Sequence, residues 1–487
     1  MVPPPGPLNV PVRNGGSAAD LLLKEGRFIA GGDARMIYDS ERGDIGIVAV
    51  GDIMLTRRLT PFKERQYLAL VELVRTGDAS FFNLETAVRL PHEGAPIATR
   101  GTTMTTPPAL LDDIKWMGFN VAGAANNHIT DYGQDGILAA VAHMRAAGMP
   151  FSGMGITLGQ ARAPAYLDTR NGRVAVVAAT SFFPEGARAG DPRSDASGRP
   201  GVSALAFAKT YTVDEEGAAA LRRLSDRLGY RKIQEYRAQS FFSKSEAMLD
   251  DENSFVFLDA RFRRGNRFAV TTTANRKDAA GILHQIREAR RQADWVIFSF
   301  HNHELAALVD DGSIPHFDVP ADFARDFARE AIDAGADMVA GHGHHMTLGV
   351  ETYRGKPIFH SLGNFIMEND TVDSVPTDAY DRFDLGHDAT PADFLDARTG
   401  NETRGFPASE EYWHALLARC EYRDRRAVAI RLYPCDLGFR RSRAQRGRPV
   451  LAQGDVAQRI LERTRVLSEH LGTKIIIDGD TALVVPE

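Results

Sequence analysis

The sequence is poor in cysteine, in long apolar runs and in net positive charge, and each shortage excludes a class of protein. Its two cysteines, Cys420 and Cys435, are too few for a disulfide framework or a thiolate metal site, so we expect buried thiols. No apolar run is long enough to span a membrane as a helix. A net charge of −6 gives no electrostatic reason to expect a nucleic acid as partner.

The chain begins "MVPPPGPLNVPVRNGGSAAD", which has no apolar stretch after a basic one, and this favours a cytoplasmic location. Further along, apolar strand-like runs such as "DIGIVAVGDIML" and "ADWVIFSFHNHE" alternate with helical patterns such as "DGILAAVAHMRAAG". This alternation predicts an α/β domain with a layered sheet over 44–370. We also predict a loose arm over 1–43, an insertion over about 186–280 and a small C-terminal α+β subdomain over 371–487.

Polar side chains stand just after these apolar runs. The carboxyl ends of strands in an open α/β sheet form the edge at which ligands bind, so we expect these side chains to meet at one site. They are Asp52, Glu85, Asn127, His128, His301, His303, His342, His344 and His345.

Carboxylates, an amide and imidazoles together predict a metal site. This mixture suits divalent ions such as Mn, Zn, Fe, Mg or Ca, which the sequence does not distinguish, and one or two ions are expected. Singly, each residue has an ordinary alternative: Asp52 as a cap, Asn127 as a turn former, His128 as a hydrogen-bonded core histidine. The stretch "GHGHH" is the strongest element, since three histidines beside two glycines have few structural uses.

Five ordered motifs carry a resemblance to a known family. They are "GDIMLTR", "NLET", "ANNHITDYGQDG", a "GH" followed two residues later by "H", and "VETYRGKPIFHSLGNFIM". Together they resemble the CapA family of capsule or poly-gamma-glutamate biosynthesis proteins, which is similar to the calcineurin-like metallophosphoesterases. The resemblance covers about 45–370 and implies a layered metallophosphoesterase-like β-sandwich flanked by helices.

The resemblance also implies roles for individual residues. His128 would face the leaving group. The last ligand would be His344 by phosphoesterase spacing or His345 by alignment through "GVETYRGK", and both remain open. The other implied metal ligands are Asp52, Glu85, Asn127, His301 and His342.

Two positions depart from the family pattern. Met54 stands where phosphoesterases usually have a histidine, which weakens one metal position. "HNHE" replaces the usual "HWG" of CapA proteins, which adds His303 and Glu304 to the rim and predicts a different substrate pocket. We expect the insertion to form a specificity lid. The lack of a signal peptide or spanning helix disfavours capsule export and favours a soluble enzyme.

The leading hypothesis is metal-assisted hydrolysis of a phosphoester or an amide or γ-glutamyl peptide bond. His128 would be the general acid, oriented by Asp131. Arg57 would hold an anionic small-molecule or peptide substrate, or would be a surface salt-bridge partner. One alternative is a peptide epimerase in which His128 and either His345 or His344 move a proton; another is a non-catalytic capsule biosynthesis protein. The oligomeric state is left open.

Overall fold

The arm predicted over 1–43 falls outside the described part of the chain, except for its last two positions. Asp39–Glu487 form one compact unit. The residues that the computed structural model describes are 42–98, 101–240, 251–306 and 318–485.

The described residues contain α-helices and strands in alternation. The α-helices are α1 (Arg65–Arg75), α2 (Leu111–Met117), α3 (Gly133–Ala146), α4 (Leu158–Arg162), α5 (Glu215–Arg227), α6 (Tyr230–Gln239), α7 (Arg276–Gln292), α8 (Asp322–Ala334), α9 (Thr377–Asp381), α10 (Pro391–Thr399) and α11 (Gly454–Glu469). The strands are β1 (Ile45–Met54), β2 (Ala79–Leu84), β3 (Ala87–Val88), β4 (Thr105–Thr106), β5 (Val121–Gly123), β6 (Phe151–Ser152), β7 (Met154–Gly155), β8 (Ala165–Thr169), β9 (Gly172–Thr180), β10 (Gly201–Val202), β11 (Phe207–Val213), β12 (Ser254–Phe257), β13 (Ala260–Arg264), β14 (Ala269–Ala274), β15 (Trp295–His301), β16 (Met338–His342), β17 (Val350–Tyr353), β18 (Lys356–Phe359), β19 (Asn364–Met367), β20 (His414–Arg423), β21 (Arg426–Asp436), β22 (Val450–Leu451), β23 (Ile475–Asp478) and β24 (Thr481–Val484).

The first sheet is built around β1. Its order is β23-β24-β21-β20-β1-β2-β5-β6, and β19 also pairs with β1 and β22 with β21. β1 runs parallel to β2 and β19 and antiparallel to β20. Every residue of β1 except Gly46 is buried, because apolar side chains pack against both faces of this central strand.

The second sheet packs against the first. Its order is β17-β18-β16-β15-β9-β8, with β15 parallel to both β9 and β16. One apolar cluster joins Ile47 and Phe81 of the first sheet to Val176, Trp295 and Ile297 of the second. The inner faces therefore form a shared core between the sheets.

Helices cover the outer faces of both sheets. Tyr67 of α1 and Ile114 of α2 pack in a cluster with Val48 of β1. Ile286 of α7 and Phe327 of α8 belong to the cluster on the outer face of the second sheet. The predicted layered α/β fold, in which two packed sheets are flanked by helices, is confirmed.

The insertion builds a small sheet of its own. Strands β12, β13, β11 and β14 pair in that order, and α5 and α6 accompany them. Val213, Ala218, Phe255 and Phe257 form a separate buried cluster there. The insertion therefore has its own small core, which a simple surface loop would not have.

The C-terminal strands belong to the first sheet. β20 pairs with β1 from Ile45 opposite Tyr422 to Ala49 opposite Ala418, and β21 and β24 follow outward. Residues 371–487 do contain helices and strands, as predicted. However, their main strands continue the central sheet and do not form a sheet of their own, because β1 offers them an open hydrogen-bonding edge.

The cysteines are placed as the sequence indicates. Cys420 and Cys435 are both buried and free. Within the described residues, no helix combines the length and the apolar character needed to cross a membrane.

Candidate metal centre

The strand ends bring the polar residues together. Asp52 lies near the end of β1, and His301 and His342 are the last residues of β15 and β16. In the sheet register His301 lies directly opposite His342. Because the two sheets pack face to face, the end of β1 meets the ends of β15 and β16 in the interior.

Asp52, His301 and His342 form the first donor group, and all three are buried. The Nδ1 atoms of the two histidines are 3.0 Å apart. The Asp52 Oδ1 atom lies 3.3 Å from His342 Nδ1 and 3.7 Å from His301 Nδ1. Ligand atoms converging on so small a space suit one divalent ion.

The protonation states of this group favour metal binding. Burial lowers the pKa of His301 to about 4, so its imidazole is neutral at pH 7. Burial alone would raise the pKa of Asp52, but the favourable interactions with the His301 and His342 rings outweigh it and hold that pKa well below the usual value. A neutral imidazole and an ionised carboxylate are the forms that bind a metal.

The second glycine of "GHGHH", Gly343, has a structural reason. Its N–H donates to the Asp52 Oδ2 atom at 2.9 Å. Its φ is 103°, and a Cβ there would lie 2.7 Å from the Asn302 carbonyl oxygen and 3.0 Å from the His301 ring. A glycine is therefore required where the chain turns against the donor group.

Glu85, His303 and His345 form the second donor group. Both carboxylate oxygens of Glu85 are buried and have no hydrogen-bond partner within the described chain. Its Oε1 atom lies 3.7 Å from His301 Nε2 and 3.9 Å from His345 Nε2, so Glu85 stands between the two groups. Burial and the nearby charge of Asp52 raise the pKa of Glu85. A carboxylate in this position needs a cation to compensate its desolvation.

Asn126 and Asn127 differ in what their amides contact. Asn126 donates to the Leu84 carbonyl at 2.7 Å and accepts from the Ile129 N–H at 3.1 Å, so it holds the turn. The Asn127 Oδ1 atom instead lies 2.9 Å from His301 Nε2. Asn127 therefore presents an oxygen to the donor groups.

His344 and His345 have different surroundings. The His345 Nδ1 atom lies 2.8 Å from Asn364 Oδ1, which leaves Nε2 toward Glu85. His344 Nε2 lies 3.3 Å from the Glu304 carbonyl oxygen, and His344 is in neither donor group of the described residues. The geometry therefore favours His345 over His344 as the last ligand, and His345 has a positive φ of 60°.

The structure also places the histidine assigned to the rim. The His303 Nε2 atom lies 3.1 Å from His301 Nε2, and its ring stacks on Phe182 at 4.0 Å between centroids. Its neighbour Glu304 accepts a hydrogen bond from the Ser181 hydroxyl at 2.5 Å. His303 thus lies among the donor groups, deeper than the sequence indicates. Met54 is buried and lines the adjacent cavity.

A cavity of about 550 Å³ opens beside the donor groups. His128 and Asp131 line it, and the His128 Nδ1 atom lies 2.7 Å from Asp131 Oδ2. Asp131 also accepts from the Met104 N–H at 2.7 Å, which fixes the carboxylate. None of the described residues of 186–280 lines the cavity, and the lid expected from the insertion stays a prediction. Its lining residues are Met54, Ile97, Ala98, Gly101, Thr102, Asn127, His128, Asp131, Phe182, Phe183, Pro184, His303, His345, Asn369, Arg398 and Phe406.

Arg57 is not among the residues that line this cavity, and its contacts favour the salt-bridge alternative over the anion clamp. Its Nε atom donates to Glu368 Oε1 at 2.8 Å. Its Nη1 and Nη2 atoms donate to the carbonyl oxygens of Ala444 and Arg446 at 2.5 and 3.1 Å. The salt-bridge alternative describes it correctly: the guanidinium ties β1 to the C-terminal segment.

We expect Arg57→Gln to lower the free energy of unfolding by about 2 kcal/mol, because the buried Glu368 carboxylate loses a charged donor. Urea unfolding at neutral pH measures this. The control is Arg58→Gln: Arg58 bonds Asp113 at 2.9 Å, but its side chain is 57% exposed, so its loss should cost less than about 1 kcal/mol. Equal effects of the two substitutions would contradict the assigned role of Arg57.

Three residues that hold the candidate ligands in place are not predicted from the sequence. Asn83 donates to Asp52 Oδ1 at 2.8 Å, and the Ser299 hydroxyl lies 2.9 Å from His342 Nε2. Asn364 holds His345, as described above. Asn83 and Ser299 are polar residues inside buried strands, and that burial pattern is the signal that would have found them.

The fold is an α/β sandwich, and buried carboxylates, imidazoles and an amide meet near the ends of its strands. These groups are the usual ligands of a divalent metal ion, so the protein has a candidate metal centre. The model of the family described as bacterial capsule synthesis protein PGA_cap matches residues 46–369. The chain therefore belongs to this family, which confirms the resemblance to CapA proteins.

Individual relatives agree with the family assignment. An uncharacterized protein, y4sH, of Sinorhizobium fredii is 33% identical and aligns with 94% of this chain and 96% of its own length. A Mycobacterium tuberculosis protein named "Probable polyglutamine synthesis accessory protein" is 27% identical over 61% of this chain and 58% of its own. The PGA biosynthesis protein CapA of Bacillus subtilis is 33% identical over 20% of this chain and 24% of its own.

Proposed function

We propose that the protein is a metal-dependent hydrolase that acts on a phosphoester or on an amide or γ-glutamyl peptide bond. The observation that carries the proposal is Glu85, whose two buried oxygens have no partner among the described residues. Asp52, His301, His342 and Asn127 would complete the shell of an ion beside it. A divalent ion there supplies Lewis acidity, which activates water and polarises a substrate oxygen at neutral pH.

His128 supplies the proton transfer. Its Nδ1 is engaged by Asp131, which fixes the tautomer and the ring orientation. The other ring nitrogen, Nε2, is left for the cavity that His128 lines. A histidine held in this way can protonate a leaving group as a general acid.

Chelation tests the proposal. The protein is assayed against a panel of phosphomonoesters, phosphodiesters and γ-glutamyl peptides, before and after treatment with a chelator. We expect hydrolysis of one class to be lost on chelation and restored by one divalent cation. Turnover that is unaffected by complete removal of metal would overturn the proposal.

A second candidate function is epimerisation of a peptide, and one observation favours it. His128 and His345 line the same cavity, and each has its Nδ1 engaged, by Asp131 and by Asn364. In this function the His345 Nε2 atom, which lies 3.9 Å from Glu85 Oε1, would exchange a proton with the substrate and would not serve as a metal ligand, and the His128 Nε2 atom would be its partner. Incubation of peptides in deuterated water separates the functions, because epimerisation places deuterium on carbon and hydrolysis does not.

A further inference from the structure

Arg398 stands out among the residues lining the cavity. It lies in α10, which brings it to the cavity wall. Its Nη1 atom is buried and has no hydrogen-bond partner within the described residues. The residue as a whole is half-buried, but a buried guanidinium N–H without a partner loses its hydration without compensation.

Two acidic residues in or near α10 are already engaged by other arginines. Asp370 pairs with Arg446 at 2.5 Å, and Asp396 pairs with Arg443 at 2.7 Å. Burial lowers the pKa of Arg398, and the charge of Asp370 opposes this only in part. The Nη1 group of Arg398 is therefore left for a ligand.

Arg398 also lies close to the residues proposed for chemistry. Burial lowers the pKa of His345, and the positive charge of Arg398 adds to that lowering. Phe406 contacts the His345 ring at 5.3 Å between centroids. Phe406 and Arg398 line both the main cavity and an adjoining recess of about 130 Å³. A group bound at Arg398 would thus lie at the junction of the two spaces.

The backbone around Arg398 is well anchored. Thr390 and Asp393 form a reciprocal capping box at the start of α10, which fixes the first turn of the helix. Arg398 also lies beyond residues 46–369, the part matched by the family model. Its position is therefore separate from the motifs that build the metal centre.

We propose that Arg398 is the substrate-recognition residue of this cavity and binds an oxyanion, either a phosphate or a carboxylate, on the substrate. The guanidinium is a planar fork that suits both groups, and its charge would be compensated by the ligand. The inference rests on the proposed function in one respect, namely that this cavity receives the substrate. Arg398 takes the role that the sequence assigned to Arg57.

Equilibrium binding to the chelated protein tests this without any turnover. Inorganic phosphate and N-acetylglycine, a model of a peptide carboxylate, are titrated by calorimetry. We expect Arg398→Gln to weaken binding of the preferred anion at least roughly 10-fold, as loss of a charge-assisted hydrogen bond implies. Arg398→Lys, which keeps the charge without the fork, should retain part of the affinity. The control is Arg291→Gln, an exposed arginine paired with Glu288 on α7, which should bind as the wild type does.

The outcomes are distinct. Preference for phosphate supports a phosphoester substrate, preference for N-acetylglycine supports a peptide, and either supports the role of Arg398. Equal affinity in the wild type and in Arg398→Gln overturns it, as does the absence of saturable binding of both anions to the wild type. The measurement involves neither metal nor turnover. Anion binding by Arg398 can therefore be judged even if the hydrolase proposal fails.

A second measurement uses only the wild-type protein and so does not require that the Arg398 variants fold. Phenylglyoxal modifies accessible arginines, and mass spectrometry locates the modified residues in the wild-type protein. The preferred anion should slow modification of Arg398 while leaving Arg291 unchanged. Equal rates at Arg398 with and without the anion would refute the proposal.

Discussion

Glu85→Gln is expected to weaken metal binding by roughly 10- to 100-fold or more, the scale seen even when a residue merely supporting a ligand is lost. The side chain is fully buried and both oxygens lack partners in the described residues. Glutamine has nearly the same shape, so packing is kept while the negative charge and one ligand oxygen are removed. Elemental analysis after dialysis, with a competition titration against a chelating dye, measures the loss.

Glu93→Gln is the matched control for this experiment. Glu93 follows Glu85 in the chain but is partly exposed and pairs with His143 at 2.7 Å. Its replacement should leave metal content unchanged. If Glu85→Gln retained the full metal content and affinity, Glu85 would not be a ligand, and the second donor group would lose its carboxylate.

His128→Ala should reduce turnover by roughly 100-fold or more, the effect expected when a general acid is removed. Its metal content should remain nearly that of the wild type, because His128 lines the cavity and belongs to neither donor group. Steady-state rates on the substrate found with the panel, together with metal stoichiometry, measure both quantities.

Two further variants make the result specific. Asn127→Ala should lower metal affinity first, since the Asn127 oxygen faces His301 at 2.9 Å. His143→Ala, at a partly exposed histidine on α3 that bonds Glu93, should change neither rate nor metal content. The separation of roles fails if His128→Ala loses the metal or keeps full activity.

The sequence predicts the site well where chemistry follows local pattern. Asp52, His301 and His342 stand at or near the ends of apolar runs, and parallel strands must bring such ends to one edge of the sandwich. Asn127 and His128 have different surroundings: the Asn127 oxygen faces His301, while the His128 ring contacts Asp131. Their roles as ligands and acid remain predictions that the experiments above test.

What the sequence does not predict depends on partners distant in the chain. The sequence alone does not distinguish Arg57 from Arg398 as a binder of anions. Arg57 bonds a carboxylate 311 positions away in the chain, whereas Arg398 forms no ion pair with a carboxylate of the described residues. The choice between His344 and His345 turns on a single backbone angle, which spacing does not encode. Likewise, pairing of the C-terminal strands with β1 requires knowing which edge of the sheet stays open.

The pairing of β1 with β20 limits how the protein can be shortened. A fragment ending near residue 370 would contain all the family motifs, but it would lack β20 and expose the backbone edge of β1 from Ile45 to Ala49. That strand is apolar, and an uncovered edge of this kind recruits strands from other chains. Such a fragment would self-associate into insoluble material. Because Asp52 lies in β1, the same mispairing would also remove Asp52 from its place beside His301 and His342.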